Sequence, residues 1–229
     1  MPGADPRAMS HSWLFTGPPG SGRSLAAIDF AAALMCTDPE EPGCGRCEAC
    51  RAVLETKQHT DLVLVDPQEV IIPVDTVREV IGRAASLPTV APWRVVIFNN
   101  ADRLNNNGAN ALLKTVEEPP ARTVIIMCAP SDAPEDFSQT LRSRCRHLYI
   151  PSPSVESITA QLVSEGASDH DAHLAALTSL RHVGRARRLV TDPAVQKRRA
   201  VAINLAEEVF HGSQGFQAVT SLLLSLIHI

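Results

Sequence analysis

Gly17-Pro18-Pro19-Gly20-Ser21-Gly22-Arg23-Ser24 lies between a short apolar run, Trp13 to Thr16, and an alanine-rich segment of helical character, Ser24 to Met35. Two glycines separated by four residues, then a basic residue and a hydroxyl, have the spacing of a Walker A phosphate loop when a strand precedes and a helix follows. Gly17, Gly20 and Gly22 let the backbone curl so that successive amides face a phosphate. The helix N-terminus near Ser24 adds partial positive charge. Ser24 is the residue that would reach a magnesium ion. Arg23 stands where the motif has lysine, which keeps the charge but exchanges a compact ammonium for a longer planar fork. Residues 17–24 are therefore a candidate site for ATP and Mg2+, with binding left open and catalytic geometry impaired. The other reading is a glycine-rich turn that binds nothing.

A hydrolytic site of this kind needs a second apolar strand ending in carboxylates, one ordering magnesium and one activating water. Here Val95-Val96-Ile97-Phe98 runs into Asn99-Asn100-Ala101-Asp102. Amides neither accept a proton readily nor neutralise a metal ion. Asp102 lies beyond the strand end and is expected to cap a helix.

Apolar runs and helical patterns alternate through the first 150 residues, the rhythm of an α/β fold with a parallel sheet and helices on both faces. Five strands are expected, at Trp13–Thr16, Leu62–Asp66, Val95–Phe98, Thr123–Cys128 and His147–Ile150. Helices are expected at Ser24–Met35, Val74–Leu87 and Asn110–Glu117, the last stopped by Pro119 and Pro120. Pro151-Ser152-Pro153-Ser154 is a stiff connector, and the residues beyond it read as helix. The expected domains are 1–151, a helical 152–192, and a further helical segment, 193–229. The closing run from Ser221 to Ile229 is apolar and uncapped, so truncation or an altered reading frame is expected there.

The chain has 229 residues, 45% hydrophobic, 20% charged and 4% aromatic, a soluble globular balance with length for two domains. A net charge of -4 argues against the whole chain clinging to nucleic acid, which needs clustered basic residues. The first ten residues lack the apolar core of a secretory signal, and no stretch reaches membrane-spanning length, so a cytoplasmic location is expected. In that compartment the six cysteines read as metal ligands or buried thiols. Cys44, Cys47 and Cys50 recur at two-residue intervals, with Cys36 across a loop. Four thiolates form a structural zinc site with no open catalytic position. The plain alternative is a set of buried free thiols, but Cys44-Gly-Arg-Cys47-Glu-Ala-Cys50 is polar for a core segment. A zinc-dependent nucleic-acid finger would need an arginine-rich recognition helix, which is missing. Cys128, inside an apolar run, and Cys145, after two arginines, are expected to be packed thiols.

Three stretches together resemble one family: the cysteine module after the phosphate-loop helix, Asn110-Ala-Leu-Leu-Lys-Thr-Val-Glu-Glu-Pro-Pro120, and Leu141-Arg-Ser-Arg-Cys145. They resemble the AAA+ clamp-loader subunits of the bacterial DNA polymerase III holoenzyme, over roughly residues 12 to 200. The resemblance implies that Ser143-Arg144-Cys145 supplies Arg144 to ATP bound by a neighbouring subunit. It also implies, as partners, gamma or tau and delta subunits and, through the complex, the sliding clamp and primed DNA. Family members divide into ATP-hydrolysing subunits, gamma and tau, and a kind that keeps fold and finger without hydrolysis. Arg23, Asn99 and Asn100 fit the latter. An ATP-hydrolysing member that recruits a carboxylate such as Asp102 is the alternative. Gly184-Arg185-Ala186-Arg187 resembles the family's sensor 2 segment and makes Arg187 a candidate phosphate contact; a solvated basic helix with Arg181, Arg185 and Arg188 fits equally. Ser131 falls near the sensor 1 position. Family chains also carry an adenine-side segment before the first strand and a third, collar domain at the end, so the chain is expected to be a fragment at both ends.

Overall fold

A computed structural model describes residues 10–67 and 69–210, without the side chains of 203 and 205–210. The closing run from Ser221 and the first nine residues lie outside the described residues. In chain order the elements are β1 (Ser12–Thr16), α1 (Arg23–Met35), α2 (Glu48–Arg51) extended by a wider turn over Ala52–Thr56, β2 (Leu62–Val65), α3 (Val74–Ala84) and β3 (Arg94–Phe98). There follow α4 (Asn106–Glu117), β4 (Thr123–Ala129), α5 (Gln139–Arg142), β5 (Arg146–Tyr149), then α6 (Val155–Ser164), α7 (Asp169–Thr178), α8 (Val183–Thr191) and α9 (Pro193–Phe210).

The five strands form one parallel sheet in the order β2-β3-β4-β1-β5. Strands buried on both faces read as continuous apolar runs, which is why they are visible in the sequence. Alternate residues serve opposite faces. Val95 and Ile97 pack with Ala27, Ile28, Ala31 and Met35 of α1. Val96 and Phe98 pack on the other side with Val77 and Val80 of α3 and Leu112 and Val116 of α4. The alanines of α1 leave little side chain between helix and sheet, so the backbone that leads out of the phosphate loop lies close to the central strands.

The step from β1 to β2 jumps across β4 and β3 to the sheet's far side. A crevice outside the carboxyl ends of the strands, where the order reverses, is the usual ligand position in such sheets. The loop at 17–24 leaves β1 at that edge.

Contacts divide the chain into two compact units, one ending at Ser152 and the other beginning at Pro153. In the second unit Ile158 and Leu162 of α6, Ala172, Ala175 and Ala176 of α7 and Ala186 of α8 form a small core of their own. Most helix bounds agree with the sequence pattern to within a turn. The main departure is α4, which starts at Asn106 instead of Asn110. The expected cap is also corrected: Asp102 sits inside a short 3-10 turn, Ala101–Arg103. Asn105 takes the capping role, its side chain accepting from the Gly108 amide at 2.8 Å. A triple asparagine before glycine reads as a turn, but a single asparagine oxygen on the third amide is enough to start a helix.

Candidate functional site

Gly20 and Gly22 have φ of 86° and 92°, a region side-chain-bearing residues rarely enter. Gly22 stands immediately before α1, so the turn aims the helix N-terminus into the loop. Gly17 is needed for another reason: a Cβ there would lie 2.2 Å from the Ile150 carbonyl oxygen and 2.5 Å from Ser21 Oγ.

Arg23 is buried and turned onto its own loop. Its Nη1 donates to the Gly17 carbonyl at 2.7 Å, and Nη2 approaches Asn100 Oδ1 at 3.4 Å. Asn100 adopts a left-handed backbone, φ 54°, which asparagine tolerates. Ser21 Oγ, Arg23 Nε and Asn99 Oδ1 are buried with no hydrogen-bond partner, although native structures leave few such atoms. All three belong to the loop or to the adjoining end of β3. Ser24 is half-buried at the first turn of α1. Ser131, just past β4, donates to Asp136 Oδ2 at 2.7 Å, so its hydroxyl is engaged within its own loop.

Beside the loop, four side chains that the sequence does not single out are linked. Thr16 Oγ1 lies 2.6 Å from His147 Nε2, and His147 Nδ1 lies 3.3 Å from Arg142 Nη2. Arg142 Nε in turn donates to Asp132 Oδ2 at 3.0 Å. That guanidinium, helped by His147, holds the Asp132 carboxyl below its usual range.

Arg144 stands at the opposite end of the sheet. Because every pairing is parallel, the segments entering β4 and β5 lie at the amino edge, away from the loop after β1. Cys145 is buried in the core beneath it, and burial pushes that thiol up to about 12. Cys128, in β4, is likewise buried and pushed up to about 12. Arg144 itself is partly exposed, its Nε donating to Glu117 Oε1 at 2.5 Å and its Nη1 to the Thr140 carbonyl at 2.8 Å. On the same edge, at the starts of β2 and β3, Asp61 and Arg94 form a buried ion pair at 2.9 Å. Burial alone would raise the Asp61 pKa, but the amides of Ala91, Val90 and Thr89 together with Arg94 hold its carboxyl far below the normal range.

In the second unit Arg187 makes a two-point pair with Glu165, Nη2–Oε1 2.6 Å and Nε–Oε2 2.8 Å. Its guanidinium is thus committed within α6 to α8.

Cys36 ends α1, and Cys44, Cys47 and Cys50 close a loop over that helix end. Their sulfurs all lie within 4.8 Å of one another, Cys36 to Cys44 at 3.7 Å and Cys36 to Cys47 at 3.9 Å. A tetrahedral ion with metal–sulfur bonds of about 2.3 Å holds its sulfurs about 3.8 Å apart. The cluster is therefore positioned to bind a metal ion. Amides of Thr37 and Cys50 bring the Cys47 thiol down to about 6, while burial pushes Cys50 up to about 12.

A doubly covered parallel sheet in this strand order, with a phosphate loop after its first strand, defines the chain as a P-loop protein of the AAA+ class. In fold it is similar to a gamma-subunit-related DNA polymerase III protein of Thermotoga maritima, TM-score 0.57 at 19% identity, covering 93% of this chain and 67% of that one. The family model described as "DNA polymerase III, delta subunit" matches residues 4–154, and the chain belongs to that family. It is 35% identical over 165 residues to the DNA polymerase III subunit delta' of Pseudomonas aeruginosa, covering 69% of this chain and 49% of that protein. It is 33% identical over 166 residues to a subunit gamma/tau of Mycobacterium tuberculosis, 70% of this chain and 28% of that one. The chain spans about half the length of the delta' relative. Among the described residues no helix is long and apolar enough to cross a membrane.

Proposed function

We propose that the chain works as a delta prime subunit of a DNA polymerase III clamp loader, helping place a sliding clamp on primed DNA without hydrolysing ATP itself. One observation carries this reading. The loop that would serve ATP in cis has its arginine folded onto the Gly17 carbonyl, beside the amides that end β3, while Arg144 stands accessible at the other edge of the sheet. A guanidinium delivered across an interface stabilises charge on a transferring phosphoryl group, an effect on the order of 10³ to 10⁵ in rate where such fingers are known. The partners under this reading are gamma or tau and delta subunits in the cytoplasm. ATP with Mg2+ at residues 17–24 has at most a holding role here, and Arg187, paired with Glu165, is a candidate phosphate contact only if that pair opens.

We infer that the metal of the cysteine cluster is zinc. Four thiolates are a closed set, so the ion would hold the loop onto the end of α1 and leave no position for substrate. Metal analysis of the purified protein should find one zinc per chain, lost when Cys44 and Cys47 become serine.

The test of the finger is DNA-stimulated ATPase turnover of the reconstituted complex with Arg144→Ala. A loss of at least an order of magnitude is expected; unchanged turnover ends this reading. The 33% identity to a gamma/tau subunit keeps an ATP-hydrolysing subunit as the second reading, and sustained turnover by the isolated protein would favour it.

A further inference from the structure

Glu117 is the last residue of α4, and Pro119 and Pro120 come directly after Glu118. A carboxylate there faces the negative end of the helix dipole, where a cation would stabilise and an anion does not. Its position serves something other than the helix. What it meets is Arg144, 27 residues further along, with Oε1 2.5 Å from Nε. On the next side of the same guanidinium, Nη1 donates to the Thr140 carbonyl at 2.8 Å and to Ser143 Oγ at 3.2 Å. Three contacts on two of its nitrogens fix the planar group both in place and in rotation. Nη2 makes no hydrogen bond among the described residues and carries the remaining two N–H groups.

The anchoring behind these contacts is stiff. Arg144 N donates to the Leu141 carbonyl at 3.0 Å, and the Ser143 hydroxyl donates to the Thr140 carbonyl at 3.0 Å. Leu141 and Cys145 on either side are buried in the core. A free arginine side chain loses several rotors when it engages an anion, whereas one already held in a fork loses less.

We propose that Glu117 is a positioning residue for Arg144, orienting the guanidinium so that Nη2 projects from the amino edge of the sheet toward an anionic acceptor on a neighbouring subunit. This rests on the finger reading above and goes beyond it by naming the group that sets the finger's reach. Glu117 touches no substrate. It acts by holding Nε and by keeping the guanidinium plane fixed before the subunits meet. Misplacement of a reacting or stabilising group by about 1 Å can cost on the order of a hundredfold in rate, so the expected effect sits in turnover and not in ATP affinity.

The test uses the reconstituted complex with Glu117→Ala, Glu117→Gln, Arg144→Ala and the double variant, measuring kcat and KM for DNA-stimulated ATP hydrolysis. Glu117→Ala should lower kcat about tenfold to a hundredfold with KM unchanged. Glu117→Gln, which keeps an acceptor oxygen for Nε, should recover much of that loss. Arg144→Ala should lose at least as much, and adding Glu117→Ala to it should cost nothing more. Thermal melting of each purified variant tests for a folding defect, and a melted Glu117→Ala overturns the positioning role in favour of a structural one. Full activity of Glu117→Ala beside an inactive Arg144→Ala overturns the role of Glu117 and leaves the finger standing. Full activity of Arg144→Ala overturns both. Losses that add in the double variant show Glu117 acting by another route and also overturn the proposal.

Discussion

Arg144 and Arg23, the two arginines on which the functional reading turns, stand at opposite ends of the sheet in different charge environments, while Arg142 and Asp132 form an ion pair beside the loop. At the amino edge the arginines meet carboxylates: Arg94 with Asp61 in the interior and Arg144 with Glu117 near the surface. At the carboxyl edge Arg23 meets only a carbonyl and a distant amide, and Ser21, Arg23 and Asn99 each leave a buried polar atom unpartnered. Arg94 Nε is the one such atom at the amino edge among the described residues. Buried donors and acceptors cost free energy when unpaired, so the loop at 17–24 and the adjoining end of β3 carry more uncompensated polarity than the amino edge.

The contrast predicts a ranked set of effects. Asp61→Ala strands the Arg94 guanidinium in the interior and should cost about 3 to 5 kcal/mol of folding stability, read from urea midpoints; a loss under about 1 kcal/mol would mean the amino edge is not held by this pair. The same carboxylate sets an acid limit. Its folded pKa is depressed, so its contribution is fully present above the unfolded carboxylate value of about 4 and is lost progressively as pH falls from there through the folded value. Urea midpoints measured from about pH 7 to about pH 3 should fall for the natural protein and fall less for Asp61→Asn.

Gly17→Ala comes next, at about 1 to 3 kcal/mol of overpacking, because the added methyl meets the Ile150 carbonyl; melting temperature measures it. Arg23→Lys should release the Gly17 carbonyl and raise affinity for a fluorescent ATP analogue about tenfold, or ~1.4 kcal/mol. Equal affinity would mean the loop is closed by something other than Arg23. The smallest effect belongs to Ser21→Ala. Removing an unpaired buried hydroxyl should raise stability by up to about 1 kcal/mol, and a clear loss would point to a partner for Ser21 within the folded chain.

Legibility in the sequence tracks the range over which each feature is built. The strands are readable because burial on both faces leaves continuous apolar runs, and the cysteine cluster because its ligands all fall between Cys36 and Cys50. The phosphate loop is readable in its spacing, but not the direction of Arg23, whose guanidinium folds back onto the Gly17 carbonyl and only approaches Asn100, 77 residues away. Asp61 and Arg94, separated by 33 residues, look like isolated surface charges until the sheet brings their strand starts together. Glu117 lies within the Asn110–Pro120 motif, yet its role is hidden there, because the helix end that aims it at Arg144 is a matter of geometry. The start of α4 is expected too late because Asn105-Asn106-Asn107-Gly108 has the composition of a turn and the hydrogen bond of a cap.

Gly17 carries a lesson about motifs themselves. Its missing Cβ is required by the Ile150 carbonyl at the end of the neighbouring strand, a demand made by sheet closure whether or not a phosphate ever arrives. A residue held by architecture is silent about ligands, so the reading of this loop rests on the groups around its first glycine, Arg23 and the two asparagines.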